Sequence, residues 1–544
     1  MTPAIPPIAD PAPTASSTPS WSRSALGVLA LVLALGCFVA WRARAAVLTI
    51  GGDDATYLTL AQSLSTGHYR DEFLVGTPPH AQYPPGYPLW LLLIRLVAGS
   101  SLDAAFGANI LLVALTALLA ADAMRRLGSP RLGVVSAAMV VFNPHLMMLA
   151  SELRSEVLFV ALSAVALWAS LRAGANATRG AALLACTAAV AAFLTRSVGI
   201  TVIPAVIAAL LAGRQWRRAA LGAVAAGVVT VGWFRYTAWA ASQSIGHSYA
   251  NDLARLAAPN AAADVAQRAL VNLEYYFVRL AAVPFGLPDL PNQPLDNGIL
   301  GGLLLVLMAV GGWSLRRRWP ALPLYLAMSL GVLLLFPWAF TRFVTALYPW
   351  LAICALLGIW QLLDRATRGR GERAALVFGV GVACCAVVTQ AEAARLAQSC
   401  RATGPYADPR CYDPETRGVI TAIRYIAEML PADAIVATSK PSTVFVMSGR
   451  RTVPLDPLAG TAAPLSFTSD FPATHLLLTR LMPYESGRIA PRLRAACTSL
   501  TLLHASPPAL VIGPRRPGDG APDACTGLDR YLADTQPNYE RSPR

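Results

Sequence analysis

Long apolar stretches recur along the chain, separated by short polar loops: 25–48, 103–124, 132–150, 156–171, 180–195, 197–213, 219–239, 298–315, 320–338, 343–363 and 374–390. A bilayer core of roughly 30 Å is crossed by about 20 apolar residues of helix, so this pattern predicts about eleven spans. An odd count puts the two ends on opposite sides of the membrane. After span one, Tyr57, Leu60, Ala61 and Leu64 recur at helical spacing and predict an amphipathic helix lying in the interface. Leu89 to Ala98 is too short to span and reads as a second interfacial helix. A helix-like stretch runs from Asp264 to Ala282 within the loop 240–297. Beyond 390 the pattern changes. "ETRGVITAIRYIAEML" reads as a helix, and "AIVAT", "HLLLT" and "ALVIG" read as short strands. Apart from the spans, no internal repeat stands out.

The predicted fold is an all-α polytopic membrane protein with a small C-terminal α/β domain outside the cytoplasm. Residues 1–22, rich in Pro, Ser, Thr and Ala, form a disordered cytoplasmic N-terminus. Residues 23–390 form the transmembrane domain, with outer loops 49–101 and 240–297, and 391–544 form the outer α/β domain. Span one could be taken for a secretory signal, with Ala43-Arg44-Ala45 as a cleavage site. Its long, nearly uncharged leader favours a retained span.

Composition agrees: 55% of the 544 residues are hydrophobic and only 14% charged. The formal charge of +14 comes almost wholly from arginine, since Lys440 is the sole lysine. The short loops holding Arg125, Arg126 and Arg131, Arg172 and Arg179, Arg214, Arg217 and Arg218, Arg316 to Arg318, and Arg365 to Arg373 all fall on one side when the spans alternate. By the positive-inside rule that side is the cytoplasm. Arg42 and Arg44 sit on the other side, against this trend. The charge therefore reports topology, and no nucleic-acid partner is expected. Five cysteines fall in spans. Cys400, Cys411, Cys497 and Cys525 lie in the outer tail, where an even count in an oxidising compartment predicts two disulfides. Three pairings are possible, and proximity favours Cys400–Cys411 and Cys497–Cys525.

Chemistry concentrates on the outer face. Asp53 and Asp54 follow Gly51-Gly52 at the lip of span one. A lone Asp there would read as a helix N-cap. Two in a row, with further polar groups converging from distant spans, read as a site, because ionisable groups beside hydrocarbon are costly. "ASELRSE" places Glu152 and Glu156 on the same face, Arg196 lies between two short spans, and Arg342 lies at the outer end of "PWAFTRFVTALYP". The competing readings are a solvated turn for the acids, a Glu152 or Glu156 pairing for Arg196, and interface snorkelling for Arg342. Arginine forks suit a phosphate leaving group, and a carboxylate suits removal of a proton from an acceptor hydroxyl. "QYPPGYP" adds rigid prolines and tyrosines that could wall a cleft. No G-x-x-x-x-G-K-[ST] motif occurs, and no Cys/His cluster has metal-ligand spacing.

These motifs resemble the GT-C membrane glycosyltransferases, in the branch of the protein O-mannosyltransferases and the lipid A aminoarabinose transferases. The likeness covers about 45–360 and rests on "DDATY", "YPPGYPLWLLL", "SELRSE", "LTRSVG" and "TRFVTALYPWL", in order. Asp54 stands where relatives carry Glu, and Thr56 and Tyr83 stand where aminoarabinose transferases carry Arg and Lys. The resemblance implies transfer of a sugar from a polyprenyl-phosphate donor to a lipid, glycan or protein acceptor. Transfer would occur at the outer face of the cytoplasmic (inner) membrane of the cell envelope, with inversion and no obligatory metal or other cofactor. It implies Asp53 as general base with Asp54 beside it as the second catalytic acid. It implies Tyr57, His80, Tyr83, Tyr87, Glu152, Glu156, Arg196, Arg342 and Tyr348 as substrate-binding residues. The rival readings are a transporter or lipid-linked-sugar flippase, and a non-catalytic sensor.

Overall fold

The computed structural model describes residues 19–45, 48–173, 178–243, 265–276, 294–336, 339–367, 369–403, 411–412, 414–455, 473–515 and 522–534. Most of the expected disordered N-terminus and of the loop 240–297 lies outside these residues. From that loop, 265–276 is helical, as the pattern predicts.

Ten helices carry the first half of the chain: α1 (Arg23–Ala43), α2 (Asp54–Ser65), α3 (Gly86–Ala98), α4 (Leu102–Arg126), α5 (Pro130–Val141), α6 (Pro144–Ser151), α7 (Ser155–Arg172), α8 (Arg179–Thr195), α9 (Val202–Ala212) and α10 (Trp216–Ala241). Helices Pro294–Leu315, Ala321–Leu335, Thr341–Thr345, Tyr348–Thr367 and Gly371–Thr403 complete the membrane part. Each expected span falls mainly on helix among the described residues. Among the described residues, however, six helices are long and apolar enough to cross a membrane. A seventh is added if the bent pair α5–α6 counts as one span. The pair bends by 51° because Pro144 cannot donate to the helical ladder, while Asn143 caps the new start by accepting from Leu146 N at 2.9 Å. Helices α3, α8, the Ser197–Ala212 unit and Ala321–Leu335 are apolar but shorter. Leucines and valines along α1 and α10, such as Leu31 and Val228, are exposed on the outside of the bundle and suit a lipid environment. The chain is a multi-pass membrane protein.

Small residues let the helices approach closely. A Cβ on Gly311 would meet Cys354 O at 1.9 Å, and one on Gly358 would meet Leu307 O at 2.0 Å. Helices Pro294–Leu315 and Tyr348–Thr367 therefore cross backbone to backbone. Polar ties are few and specific. Asp122 on α4 accepts from Arg125 and Arg126 at 2.6 Å and from Trp168 Nε1 on α7 at 2.8 Å. Arg44, discordant in the charge pattern, is held locally by Asp103 at 2.6 Å and by the Trp41 ring at 3.7 Å.

Two expectations change. Helix α2 does not lie on the membrane surface: Tyr57, Leu60 and Ala61 are buried against protein, with α3 on one side and the C-terminal helix Pro441–Ser448 on the other. The expected domain boundary at 390/391 runs through the continuous helix Gly371–Thr403.

The C-terminal sheet contains β1 (Ile435–Thr438), β2 (Arg451–Pro454), β3 (His475–Leu478), β4 (Leu500–Ser506) and β5 (Ala509–Pro514) in the order β2-β1-β3-β5-β4. β1 pairs in parallel with β2 and β3, and β5 pairs antiparallel with β3 and β4. The amphipathic helix Pro414–Met429 buries Val419, Ile420, Ile423 and Ile426 on one face. Helices Ala490–Ala495 and Cys525–Ala533 cover the other. Cys400 is bonded to Cys411 and Cys497 to Cys525, with Cα atoms 5.6 and 4.9 Å apart.

This domain is fused to the first outer loop. Thr452 N donates to Phe73 O at 3.0 Å, Val75 N donates to Thr452 O at 3.1 Å, and Leu74 pairs in parallel with Thr452. Ile50 enters the core formed by Val419, Val436 and Leu477.

The helix crossing gives the first prediction. Gly358→Ala should destabilise the protein by about 1–3 kcal/mol, the usual cost of overpacking. Gly227→Ala, at a position open to 4 Å, should not. Thermal unfolding in detergent distinguishes the two.

Candidate active site

The site starts from the turn 49–53. Asp53 precedes α2, and its carbonyl accepts from Tyr57 N at 3.0 Å. Its side chain makes no capping bond. Instead, Oδ2 accepts from Arg342 Nη1 at 3.3 Å and lies 3.9 Å from Arg154 Nη1. Asp54 turns the other way and is only 1% exposed. Its Oδ2 accepts from Thr49 N at 3.1 Å, and its Oδ1 lies 3.8 Å from Arg154 Nε. Gly52 makes room for this: a Cβ there would lie 2.6 Å from Asp54 Oδ1 and 3.1 Å from Arg154 Nη2.

Arg154, in the short link between α6 and α7, is the residue that sequence reasoning passed over. Its Nε donates to Glu152 Oε2 at 2.7 Å while the guanidinium also faces both aspartates. Glu156, buried on the first turn of α7, lies 2.9 Å from Arg196 Nη1 and 3.5 Å from Arg342 Nε. Arg196 ends α8 in an extended conformation and also donates to Ser155 Oγ at 2.9 Å. The Phe343 ring lies between the two guanidiniums, 5.6 Å from that of Arg196 and 5.4 Å from that of Arg342. The helix 265–276 braces this end: Asn272 Nδ2 donates to Leu334 O and Phe336 O at 2.9 Å, and the Tyr275 hydroxyl meets Thr341 Oγ1 at 3.1 Å. Arg342 thus turns inward to Asp53 and Glu156 instead of snorkelling, and Arg196 takes the Glu156 pairing.

The two aspartates are split electrostatically. Burial opposes ionisation of Asp53, but Arg342, Lys440 and Arg154, with a Tyr83 hydrogen bond, outweigh it and hold the carboxyl below its usual range. Burial dominates at Asp54 and raises it despite Arg154. Glu152 is likewise raised by burial, against the pull of Arg154. Asp53, whose side chain is 20% exposed, is therefore the accessible and more readily ionised member of the pair. Beside it, the buried Glu156 Oε1 and Arg342 Nε face each other at 3.5 Å as an ion pair without a hydrogen bond.

Several of the residues expected to bind substrate have hydrogen-bond partners inside the protein. The Tyr57 hydroxyl meets Ser155 Oγ at 2.8 Å, and the fully buried Tyr87 hydroxyl accepts from Asn109 Nδ2 at 3.0 Å. His80 is buried, with Nδ1 bonded to Asp71 at 2.6 Å and Nε2 accepting from Tyr83 N at 2.8 Å. It fixes the loop that presents Tyr83. Tyr348 lies in the helix core, donating to Met139 O at 3.2 Å, away from the cluster. Asp54 is buried beneath the accessible acid and accepts from Thr49 N. Tyr83, partly exposed and bonded to Asp53, keeps a place in the cleft.

Residues 82–236 match the family model described as dolichyl-phosphate-mannose-protein mannosyltransferase. No curated protein matches the chain significantly. Among solved structures, ArnT from Cupriavidus metallidurans in the apo state superposes with a TM-score of 0.52 at 15% identity, over 90% of this chain and 98% of that one. The same protein bound to undecaprenyl phosphate gives 0.52 at 16% identity and equal coverage. Archaeal AglB from Archaeoglobus fulgidus, in complex with an inhibitory peptide and a dolichol-phosphate, gives 0.47 at 14% identity, over 79% of this chain and 65% of that one. The ArnT superposition establishes the GT-C fold.

Arg154 faces three carboxylates, one of them buried. Arg154→Met should cost about 3–5 kcal/mol, the penalty for leaving a buried acid without its partner. A second change, Asp54→Asn, should recover part of that loss in the same thermal-unfolding assay.

Proposed function

We propose that this protein is a glycosyltransferase that moves a sugar from a polyprenyl phosphate to an acceptor hydroxyl at the outer face of the cytoplasmic membrane. The observation that carries the reading is Asp53. It is an accessible carboxylate held ionised by cations from distant segments, at the lip of a membrane bundle with the GT-C fold. The match of 82–236 to the mannosyltransferase family model and the undecaprenyl phosphate bound by ArnT support a lipid-linked donor.

In this mechanism the Asp53 carboxylate accepts the proton of the acceptor hydroxyl. The acceptor oxygen attacks the anomeric carbon, the bond from that carbon to the phosphate oxygen breaks, and the polyprenyl phosphate leaves with the electron pair. Attack opposite the leaving group inverts the anomeric centre. Arg342, which faces Asp53 at 3.3 Å and Glu156 at 3.5 Å, is our candidate to hold the leaving phosphate, because a guanidinium fork suits phosphate oxygens. Arg196 contributes positive charge from behind Glu156. Tyr83 steers the base. The C-terminal sheet domain lies outside the membrane with the cleft, and the arginine-rich loops lie in the cytoplasm.

Three outcomes follow. Asp53→Asn should keep its fold and donor binding but lose about 10²–10⁴ in transfer rate, measured on purified protein with a polyprenyl-phosphate sugar. Wild-type transfer by Asp53→Asn would remove the base assignment. Arg342→Ala and Arg196→Ala should each weaken donor binding by about 1.5–3 kcal/mol. For orientation, the sole lysine is a native probe. A membrane-impermeant amine reagent should label Lys440 in intact spheroplasts, whereas protection until lysis would invert the topology.

A further inference from the structure

One further cation acts on the cluster described above. Asp53, Asp54, Glu152 and Glu156 meet there, and the membrane-borne segments answer with three guanidiniums, those of Arg154, Arg196 and Arg342. Taken formally, that set is negative, a poor environment for an anionic phosphodiester. The missing charge comes from the other end of the sequence. Lys440 sits in the turn between β1 and the helix Pro441–Ser448, and that helix is stitched to the turn carrying Asp53 on both sides. Ser442 Oγ meets Thr56 Oγ1 at 2.7 Å, three residues after Asp53, and Thr443 Oγ1 reaches Ile50 O at 3.5 Å, three residues before it. Below it, Ser439 Oγ lies 3.4 Å from the Thr479 hydroxyl, which donates to the buried carboxylate of Glu485. The turn is thus fixed from both domains.

We propose that Lys440 is a positioning residue of the cleft, an ammonium delivered by the C-terminal sheet domain to pair with Asp53 and complete the charge balance of the cluster. This rests on the reading of Asp53 as the base. Arg342, Arg154 and the Tyr83 hydroxyl face the same carboxylate from the membrane side, and Asp54 and Glu156 oppose its charge. Lys440 acts on it from the tail side, and its loss would leave Asp53 with two cations instead of three. The small domain is then a component of the cleft, and truncating it would remove part of the site.

The test exploits the uniqueness of Lys440. Competitive amine labelling at graded pH, read on the Lys440 peptide by mass spectrometry, reports how firmly the ammonium holds its proton. Asp53⁻ favours the ammonium, so Asp53→Asn should raise amine reactivity at fixed pH about tenfold, equivalent to about one pH unit. Equal reactivity in wild type and Asp53→Asn would overturn the pairing, whether or not the protein transfers sugar. In the transfer assay, Lys440→Met should move the acid limb of kcat/KM to higher pH, and Lys440→Arg should leave it in place. An active Lys440→Met enzyme with an unmoved limb would also overturn the proposal. A wild-type protein without transferase activity would instead strike at the base assignment, while the labelling result would still decide the Lys440–Asp53 pair.

Discussion

Four carboxylates brought together at the edge of a hydrocarbon layer repel one another and resist desolvation, so the cleft exists only because cations meet them. Arg154 carries most of that burden, facing Glu152, Asp54 and Asp53 from one short link between α6 and α7. Arg342 and Arg196 close the far side around Glu156, and Lys440 arrives from the C-terminal sheet. Much of the surrounding architecture serves this arrangement. The bend at Asn143-Pro144 brings α6 to the link, the break after Arg196 ends α8 at the cluster, and the helix 265–276 braces the short helix bearing Arg342.

The same balance separates two adjacent acids by function. One peptide unit apart, Asp53 and Asp54 occupy opposite environments. Asp53 reaches the cleft and is held ionised, while Asp54 is buried under the turn and bonded to its backbone. A helix start gives this separation directly, because consecutive residues there point in different directions. Behind them, Asp71 holds His80, and His80 accepts from the Tyr83 backbone N, which fixes the loop whose Tyr83 hydroxyl meets Asp53.

Residue types and hydrophobic spacing made the membrane class, the helix positions, three of the five strands and the acid–arginine cluster legible. β2 and β4 escaped because Arg451–Pro454 is too short to show alternation and Leu500–Ser506 mixes apolar and polar positions without a clear period. Arg154 was visible in "SELRSE" but looked like a solvated charge, since sequence cannot show that its neighbours are buried. The tyrosines were expected as substrate contacts from their residue type alone. Tyr57, Tyr87 and Tyr348 each found a partner inside the protein, which only packing reveals. The expected interfacial role of α2 failed for the same reason: an amphipathic pattern demands an apolar partner without saying whether lipid or protein provides it.

The pairing of the Leu74 segment with Thr452 joins strands of chain made far apart, with Phe73 and Thr452 separated by 379 residues. During synthesis the first outer loop emerges early, with its acids already at the lip of α1. Its sheet partner and its lysine come only after every hydrophobic segment has been made. The newborn protein therefore passes through a stage with a membrane bundle but an open, unbalanced cleft. Completion of the tail then doubles as a check on assembly: a chain that stops before Thr452 lacks the segment that closes on Phe73 and Val75.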